Sequence, residues 1–319
     1  MGSSSRHHYI PEFFQNGFGD AEGKLVIYDK LKDQFLTNQT PANWFLIKNL
    51  NSVFRDGKVA HALEEKLLAG VDGDHGAVIR KFREIGTTKV GDVFTADEWL
   101  NLLHFALVLF WRSPASDESL MGVYDRLGIE SDFFPFHDVL HDVINKEEVA
   151  KNIRHYLLDE ESRKIARFLV PFSHGIGREL KFQIGNFKLY TSDNAKGWNF
   201  LLGDCPVVTQ EAEAGSKRLF NALLLPISKN RLLLVAEGAP SFLDQTLAMQ
   251  VNVNLIHQSN RFVAGSSLGV LAVMVDKYKS MIELGHANAL HPALFKHIRW
   301  QGSFDNYDDF DQAYKLILG

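Results

Sequence analysis

The spacing of hydrophobic residues changes twice along the chain. Up to residue 50, short β-branched and aromatic runs alternate with turns, and LVIYD (residues 25–29) with QFLTN (34–38) predicts two paired strands. Residues 58–170 carry apolar side chains three and four positions apart, which predicts a helical region. Residues 178–265 alternate apolar and polar side chains and predict a β-rich region, and residues 266–319 are mixed.

The boundaries of several elements follow from turn and capping residues. VAHALEEKLLAG predicts a helix that stops at Gly70, and HGAVIRKFREIG predicts a second that ends at Gly86. A T-A-D-E capping box at Thr95 opens an almost wholly apolar helix, predicted to be central and to end at Arg112-Ser113-Pro114. KEEVAKNIRHYLLDEESRKIARFLV predicts one further long helix with Pro171 as its stop.

The β-rich region predicts hairpins and short strands. RELKFQIGNFKLYTSD carries a Gly-Asn turn, FNALLLPIS and RLLLVAE flank the ISKNR turn, and WNFLLGDCPVVTQ and RFVAG are further strands. We therefore predict an α+β fold in a single domain of residues 1–319. Its helical middle region would pack against a mainly antiparallel sheet formed by the C-terminal strands, with the N-terminal strands able to join it.

Composition narrows the functional classes. With 45% hydrophobic and 23% charged residues, the chain is of globular type, and its one cysteine excludes an internal disulfide. The net charge of -5 does not support a nucleic-acid partner, although a local basic patch would remain compatible with one. The N-terminal residues lack a signal-peptide apolar run and no stretch reaches the ~18 to 20 residues of a membrane span. We expect a cytoplasmic protein with no membrane partner; nothing in the sequence indicates its oligomeric state.

Two groups of residues are candidates for chemistry. His7 and His8 precede a dense apolar run, and neutral imidazoles can bind a metal or transfer protons near neutral pH. Adjacent side chains on a strand point to opposite faces, so one of them at most joins a given site unless the backbone turns. Asp204 stands at the end of an apolar strand beside Gly203 and Pro206, where it is either a site carboxylate or a turn residue that hydrogen-bonds its own backbone.

Arg112 and Cys205 are two further residues with reactive or charged side chains. Arg112 ends the most apolar helix, where a guanidinium can cap helix carbonyls or bind an anion such as phosphate. Cys205 has no histidine at a recognisable spacing and is interpreted as a small core residue rather than a nucleophile.

These segments, in this order, resemble the family known as domain of unknown function 4238. The resemblance covers about residues 6–265 and rests on HHYIPEFF, VIYDK, the buried helix ending in RSP, FLLGDCPVV, LLLPIS and RFVAG. His7, His8, Asp204 and Pro206 match the family pattern, whereas Gly203 and Cys205 stand where Ser and Asn are usual. An acidic family position after the first helix corresponds to Asp72, which stands here in place of Glu.

The resemblance supplies no activity, but it adds weight to the histidine pair and Asp204. One hypothesis is a metal-assisted hydrolase, a nuclease or phosphodiesterase of a bacterial defence or toxin-like type. His7 and His8 would serve as general base or ligand and Arg112 would hold phosphate, with His8 and Asp204 binding a divalent metal. The alternative is a non-catalytic binding or regulatory module in which the histidines and Asp204 form a structural network. A hydrolase should gather these groups around one concave pocket, whereas a network should leave them packed and dry.

Overall fold

A computed structural model gives the fold of the chain. It describes residues 6–50, 52–55, 58–60, 68–84, 94–128, 146–173, 176–177, 187–191, 199–211, 220–309 and 311–312. The strands are β1 (Arg6–His8), β2 (Leu25–Asp29), β3 (Gln34–Gln39), β4 (Leu46–Lys48), β5 (Val53–Arg55), β6 (Lys58–Ala60), β7 (Phe187–Thr191), β8 (Leu202–Gly203), β9 (Val208–Glu211), β10 (Phe220–Ser228), β11 (Arg231–Ala236) and β12 (Phe262–Gly265). The α-helices are α1 (Glu12–Gln15), α2 (Ala69–Glu84), α3 (Ala96–Arg112), α4 (Ser116–Leu127), α5 (Lys146–Leu158), α6 (Glu160–Leu169), α7 (Gln245–Gln258), α8 (Leu268–Glu283) and α9 (Leu290–Gln301).

The predicted α+β architecture with antiparallel pairing is confirmed, and the strands divide between two main sheets. One sheet has the order β7-β11-β10-β9 and contains the predicted hairpin of β10 and β11. The other has the order β3-β2-β12-β8, so that β12 pairs with N-terminal strand β2 on one side and with β8 on the other. Strand β1 pairs with β4, and β5 with β6.

The predicted strand WNFLLGDCPVVTQ is wrong as a single element. Its first part forms β8 and its second part forms β9, and these two strands belong to different sheets. The break falls at residues 204–206. The Asp204 carboxylate accepts hydrogen bonds from three backbone N–H groups, and Pro206 has no N–H with which to continue the β-ladder. The chain crosses between the two sheets at this point.

Helix α3 is the central helix that its apolar pattern predicts. Its capping box is formed, with Thr95 accepting a hydrogen bond from the Glu98 backbone and Glu98 accepting one from that of Thr95. A run from Phe105 to Leu109 is at most 2% exposed, and Trp111 is fully buried, because the helix packs on several sides at once. It ends where Ser113 adopts extended backbone before Pro114.

Three predicted helix boundaries are wrong. Residues 58–60 form strand β6, and α2 runs through Gly70 to Glu84 instead of stopping at the glycine. Burial of Val71, Ile79 and Phe82 on one face of α2 outweighs the ~1 kcal/mol that a glycine costs inside a helix. The last predicted long helix is two helices, since Asp159 takes extended backbone and caps α6 through the Ser162 N–H at 2.8 Å.

Some predictions lie outside the described residues. These are the end of the second predicted helix at Gly86 and most of the RELKFQIGNFKLYTSD hairpin, of which the described part forms β7. Within the described parts of the chain, no helix is both long enough and apolar enough to cross a bilayer.

Candidate functional site

Two separate motifs meet at the end of α3. The Ser113 hydroxyl lies 3.4 Å from the carbonyl oxygen of Asp204, to which it donates, and 3.4 Å from Cys205 Sγ. The RSP turn that stops the central helix therefore packs directly on the segment where the chain crosses between sheets.

A cavity of about 200 Å³ opens beside this junction. Its polar lining comes from four parts of the chain that are distant in sequence, namely Tyr9, Ser113, Asp204 and the pair Asn260-Arg261. We call it the Asp204 cavity. Each of these segments belongs to, or directly adjoins, a block that carries the family resemblance, so the motifs converge on one concave surface.

Asp204 anchors the loop between α7 and β12. Its Oδ1 accepts the Asn260 N–H at 2.8 Å, and its Oδ2 accepts the N–H groups of Arg261 at 2.7 Å and Phe262 at 3.0 Å. The residue is only 5% exposed. Burial raises the pKa of the Asp204 carboxyl, and the three backbone donors act against that rise because they stabilise the charged form. All three donors lie 56 to 58 positions further along the chain and do not belong to the turn around Asp204 itself. The role of Asp204 as a site carboxylate stays a prediction.

Lys30 also holds the α7–β12 loop, through hydrogen bonds to the end of α7. Its ammonium donates to the carbonyl oxygens of Ile256 at 2.6 Å and Ser259 at 2.5 Å, which closes the C-terminal end of α7. The Lys30 charge also lowers the pKa of Asp204, although burial of the carboxyl has the larger effect. Lys30 is not among the residues predicted from the sequence, because it carries no local signal beyond its place in VIYDK.

Tyr9 is the polar group that the N-terminal block contributes to the cavity. The Tyr9 side chain is 5% exposed, and its hydroxyl makes no hydrogen bond with any described residue. Burial raises the pKa of the Tyr9 hydroxyl, and the neighbouring Asp204 carboxylate adds to the rise. The phenol therefore stays protonated near neutral pH and presents a donor to the cavity.

Arg261 stands at the rim of the cavity. Its Nε and Nη2 donate to Asp29 Oδ2 at 3.4 and 3.2 Å, and its guanidinium lies 4.5 Å from the centre of the Phe262 ring. The Arg261 side chain is 44% exposed, which leaves its remaining nitrogen accessible from solvent. Together with the exposed Asn260, it gives the cavity mouth a positive and hydrogen-bonding edge.

His7 and His8 lie elsewhere. They are adjacent on β1 and differ in burial, since His7 is fully buried and His8 is partly exposed. His8 Nε2 donates to the carbonyl oxygen of Ala42 at 3.3 Å, and neither histidine lines the Asp204 cavity. Burial lowers the pKa of His8, and the Arg112 charge lowers it further, so His8 lies within electrostatic reach of Arg112.

Arg112 is paired inside the protein. One of its terminal nitrogens donates to both carboxylate oxygens of Asp72, at 2.8 and 3.0 Å, and the Arg112 side chain is 1% exposed. This ion pair joins the first turn of α2 to the last turn of α3. Both residues can be singled out from the sequence, but their contact cannot, because a separation of 40 positions leaves no periodic signal.

A metal site built from His8 and Asp204 has no direct geometric support. Both Asp204 oxygens are engaged with backbone N–H groups, and the described residues contain no cluster of three or more histidine, cysteine or acidic side chains able to hold a metal. The site stays a prediction. Burial raises the pKa of the Cys205 thiol to about 12, which leaves it protonated and unsuited to nucleophilic attack.

Comparison with known proteins adds the family but no activity. No curated protein matches the chain, and no solved structure matches it. The model of a family described as a protein of unknown function, DUF4238, matches residues 6–268. Since that match covers most of the chain, the protein is a member of the DUF4238 family.

Proposed function

We propose that the protein is a non-catalytic binding module and that its ligand occupies the Asp204 cavity. One observation carries the proposal: the family motifs meet around this cavity, while the charged residues that would perform catalysis are held in internal contacts. Asp204 accepts three backbone N–H groups, Arg112 forms an ion pair with Asp72, and His8 donates to a carbonyl oxygen. Such a network gives a rigid wall against which a small molecule can bind.

The lining indicates the class of ligand. Three lining residues have side chains that can donate hydrogen bonds: Tyr9, with its protonated hydroxyl, Asn260 and Arg261. The Asp204 carboxylate also lines the cavity, and its two oxygens already accept backbone N–H groups. Donors that converge beside a cation favour an acceptor with negative charge. A volume of about 200 Å³ limits the occupant to a small molecule. The proposed ligand is therefore a small carboxylate.

Calorimetric titration with a panel of small carboxylates, each beside its neutral amide, tests this function. We expect a carboxylate to bind more tightly than its amide. Tyr9→Phe should weaken binding tenfold or more, because a hydrogen bond to a charged group is worth about 1.5–3 kcal/mol and about 1.4 kcal/mol is a factor of ten. Tyr278→Phe is the matched control, because the Tyr278 hydroxyl lies outside the cavity and has no hydrogen bond within the described chain. If no carboxylate binds, or if both variants behave alike, the proposal fails.

The metal-assisted nuclease or phosphodiesterase predicted from the sequence stays a prediction, as does the cytoplasmic location. Elemental analysis of the purified chain beside His8→Ala and Asp204→Ala addresses it directly. Stoichiometric metal that both folded variants lose would replace the binding-module proposal with the hydrolase.

A further inference from the structure

Two histidines outside the Asp204 cavity meet between the first two long helices. His75 of α2 and His104 of α3 have ring centres 5.2 Å apart, and His75 Nε2 lies 3.2 Å from His104 Nδ1. Neither histidine is among the candidate residues predicted from the sequence, and neither lines the Asp204 cavity. We refer to these facing atoms as the inner nitrogens.

The outer nitrogen of each ring is fixed by a backbone carbonyl. His75 Nδ1 lies 2.7 Å from the Val71 oxygen, and His104 Nε2 lies 3.0 Å from the Pro171 oxygen. A carbonyl oxygen only accepts hydrogen bonds, so both outer nitrogens must carry the proton. In a neutral imidazole the other nitrogen then has a lone pair and no hydrogen.

The two inner nitrogens consequently face each other as acceptors. Two lone pairs at 3.2 Å repel unless a cation lies between or beside them. Two bonds of about 2.0–2.1 Å to a tetrahedral metal place their ligand nitrogens about 3.3 Å apart, close to the distance found here. A carbonyl on the outer nitrogen is also the arrangement that orients metal-binding imidazoles.

The surroundings favour a metal cation over a shared proton. Among the described residues, the charged side chains that act on His75 are Asp74 and Asp72, and the titratable group that acts on His104 is His75. Burial lowers the pKa of both imidazoles, and metal ligation requires neutral rings.

We propose that His75 and His104 form a two-imidazole site for a borderline transition-metal ion, with zinc as the reference ion. The described residues supply two protein ligands, so solvent or a small ligand completes the coordination. Access is available from the side of His104, which is partly exposed and packs edge-on against the exposed Phe172. A site with open positions binds metal reversibly and less tightly than a closed four-residue site.

Titration of the EDTA-treated full chain with zinc chloride, followed by calorimetry, tests the site. We expect one zinc per chain, and visible absorption of the cobalt-substituted protein should show tetrahedral coordination with nitrogen ligands. His75→Phe and His104→Phe should each weaken zinc binding tenfold or more. His291→Phe is the matched control, since His291 also donates to a carbonyl, that of Thr209 at 2.7 Å, and should leave zinc binding unchanged.

Circular dichroism and thermal unfolding establish that the variants are folded; if His75→Phe fails to fold, the partly exposed His104→Phe decides. The proposal is overturned if the folded wild type takes up no zinc or if both folded variants bind it as tightly as the control. It is also overturned if the nitrogen NMR shifts of the two rings show a shared proton that zinc does not displace. None of these outcomes depends on a carboxylate ligand or on His8 and Asp204.

Discussion

Replacing Asp204 by asparagine should weaken the anchor that holds the α7–β12 loop against the end of β8. Asparagine keeps the shape of the side chain but has one acceptor oxygen in place of two. In its best orientation that oxygen keeps the Arg261 and Phe262 N–H groups, and its NH2 then faces the Asn260 N–H, which lies 2.8 Å from the carboxylate in the wild type. The substitution therefore places two hydrogen-bond donors, the side-chain NH2 and the Asn260 N–H, against each other in a buried position.

The magnitude follows from these three hydrogen bonds. A hydrogen bond to a charged group is worth about 1.5–3 kcal/mol and a neutral one about 0.5–1.5 kcal/mol, while a buried donor left without a partner costs about 1–3 kcal/mol. Part of this loss is offset, because a neutral amide costs less to bury than the Asp204 carboxylate. The raised pKa of Asp204 reflects the cost of burying its charge. We expect a net loss of about 2–4 kcal/mol in the free energy of unfolding.

Urea denaturation at pH 7, followed by the fluorescence of the five tryptophans, measures this loss. Asp159→Asn is the control, because Asp159 is an exposed cap that accepts a single N–H, from Ser162, and asparagine caps helices equally well. The control should stay within about 0.5 kcal/mol of the wild type. A loss of less than about 1 kcal/mol for Asp204→Asn, with an unchanged denaturant slope, would refute the anchoring role.

Three other predictions concern stability. Asp72→Asn should cost about 1.5–3 kcal/mol in a denaturation assay because it leaves the Arg112 charge buried, and Asp72→Asn should have a much smaller effect in an Arg112→Met background. Gly203→Ala should destabilise by about 1–3 kcal/mol, since a Cβ would contact the Ser259 hydroxyl and lie 3.1 Å from the Leu255 carbonyl; Ser259→Ala should relieve part of this. Burial lowers the pKa of His257 below its ordinary 6.5, so the stability it confers is present above pH 6.5 and is lost as pH falls; His257→Gln should flatten that fall in a pH series.

The sequence predicts local structure well where one face of an element decides its burial. The capping box at Thr95, the buried helix α3 and the hairpin of β10 and β11 each have a signal contained within about twenty residues, and the structure confirms all three. The prediction fails where tertiary packing outweighs the local structural preference of a residue. Gly70 does not end α2, and Asp159 divides a run whose hydrophobic period is continuous.

The candidate site shows the same limit more clearly. Asp204 and the RSP turn can be found from the sequence, since a carboxylate beside glycine and proline and a proline after an apolar helix are both unusual. Their contact cannot be found in this way, because it depends on a separation of 91 residues between Ser113 and Asp204. The same holds for the pairing of Arg112 with Asp72 and for Tyr9, whose importance lies in the cavity that it faces.

The geometry also shows how these segments of the chain depend on one another. Asp204 can accept three N–H groups only if the α7–β12 loop is held against it, and Lys30 holds that loop by closing the end of α7. Ser113 fixes the same segment from the other side by donating to the Asp204 carbonyl oxygen. Each motif therefore needs the others to satisfy buried polar groups. Once that requirement is met, the Tyr9 hydroxyl lines the cavity without a hydrogen-bond partner among the described residues, so the proposed binding should depend first on this hydroxyl.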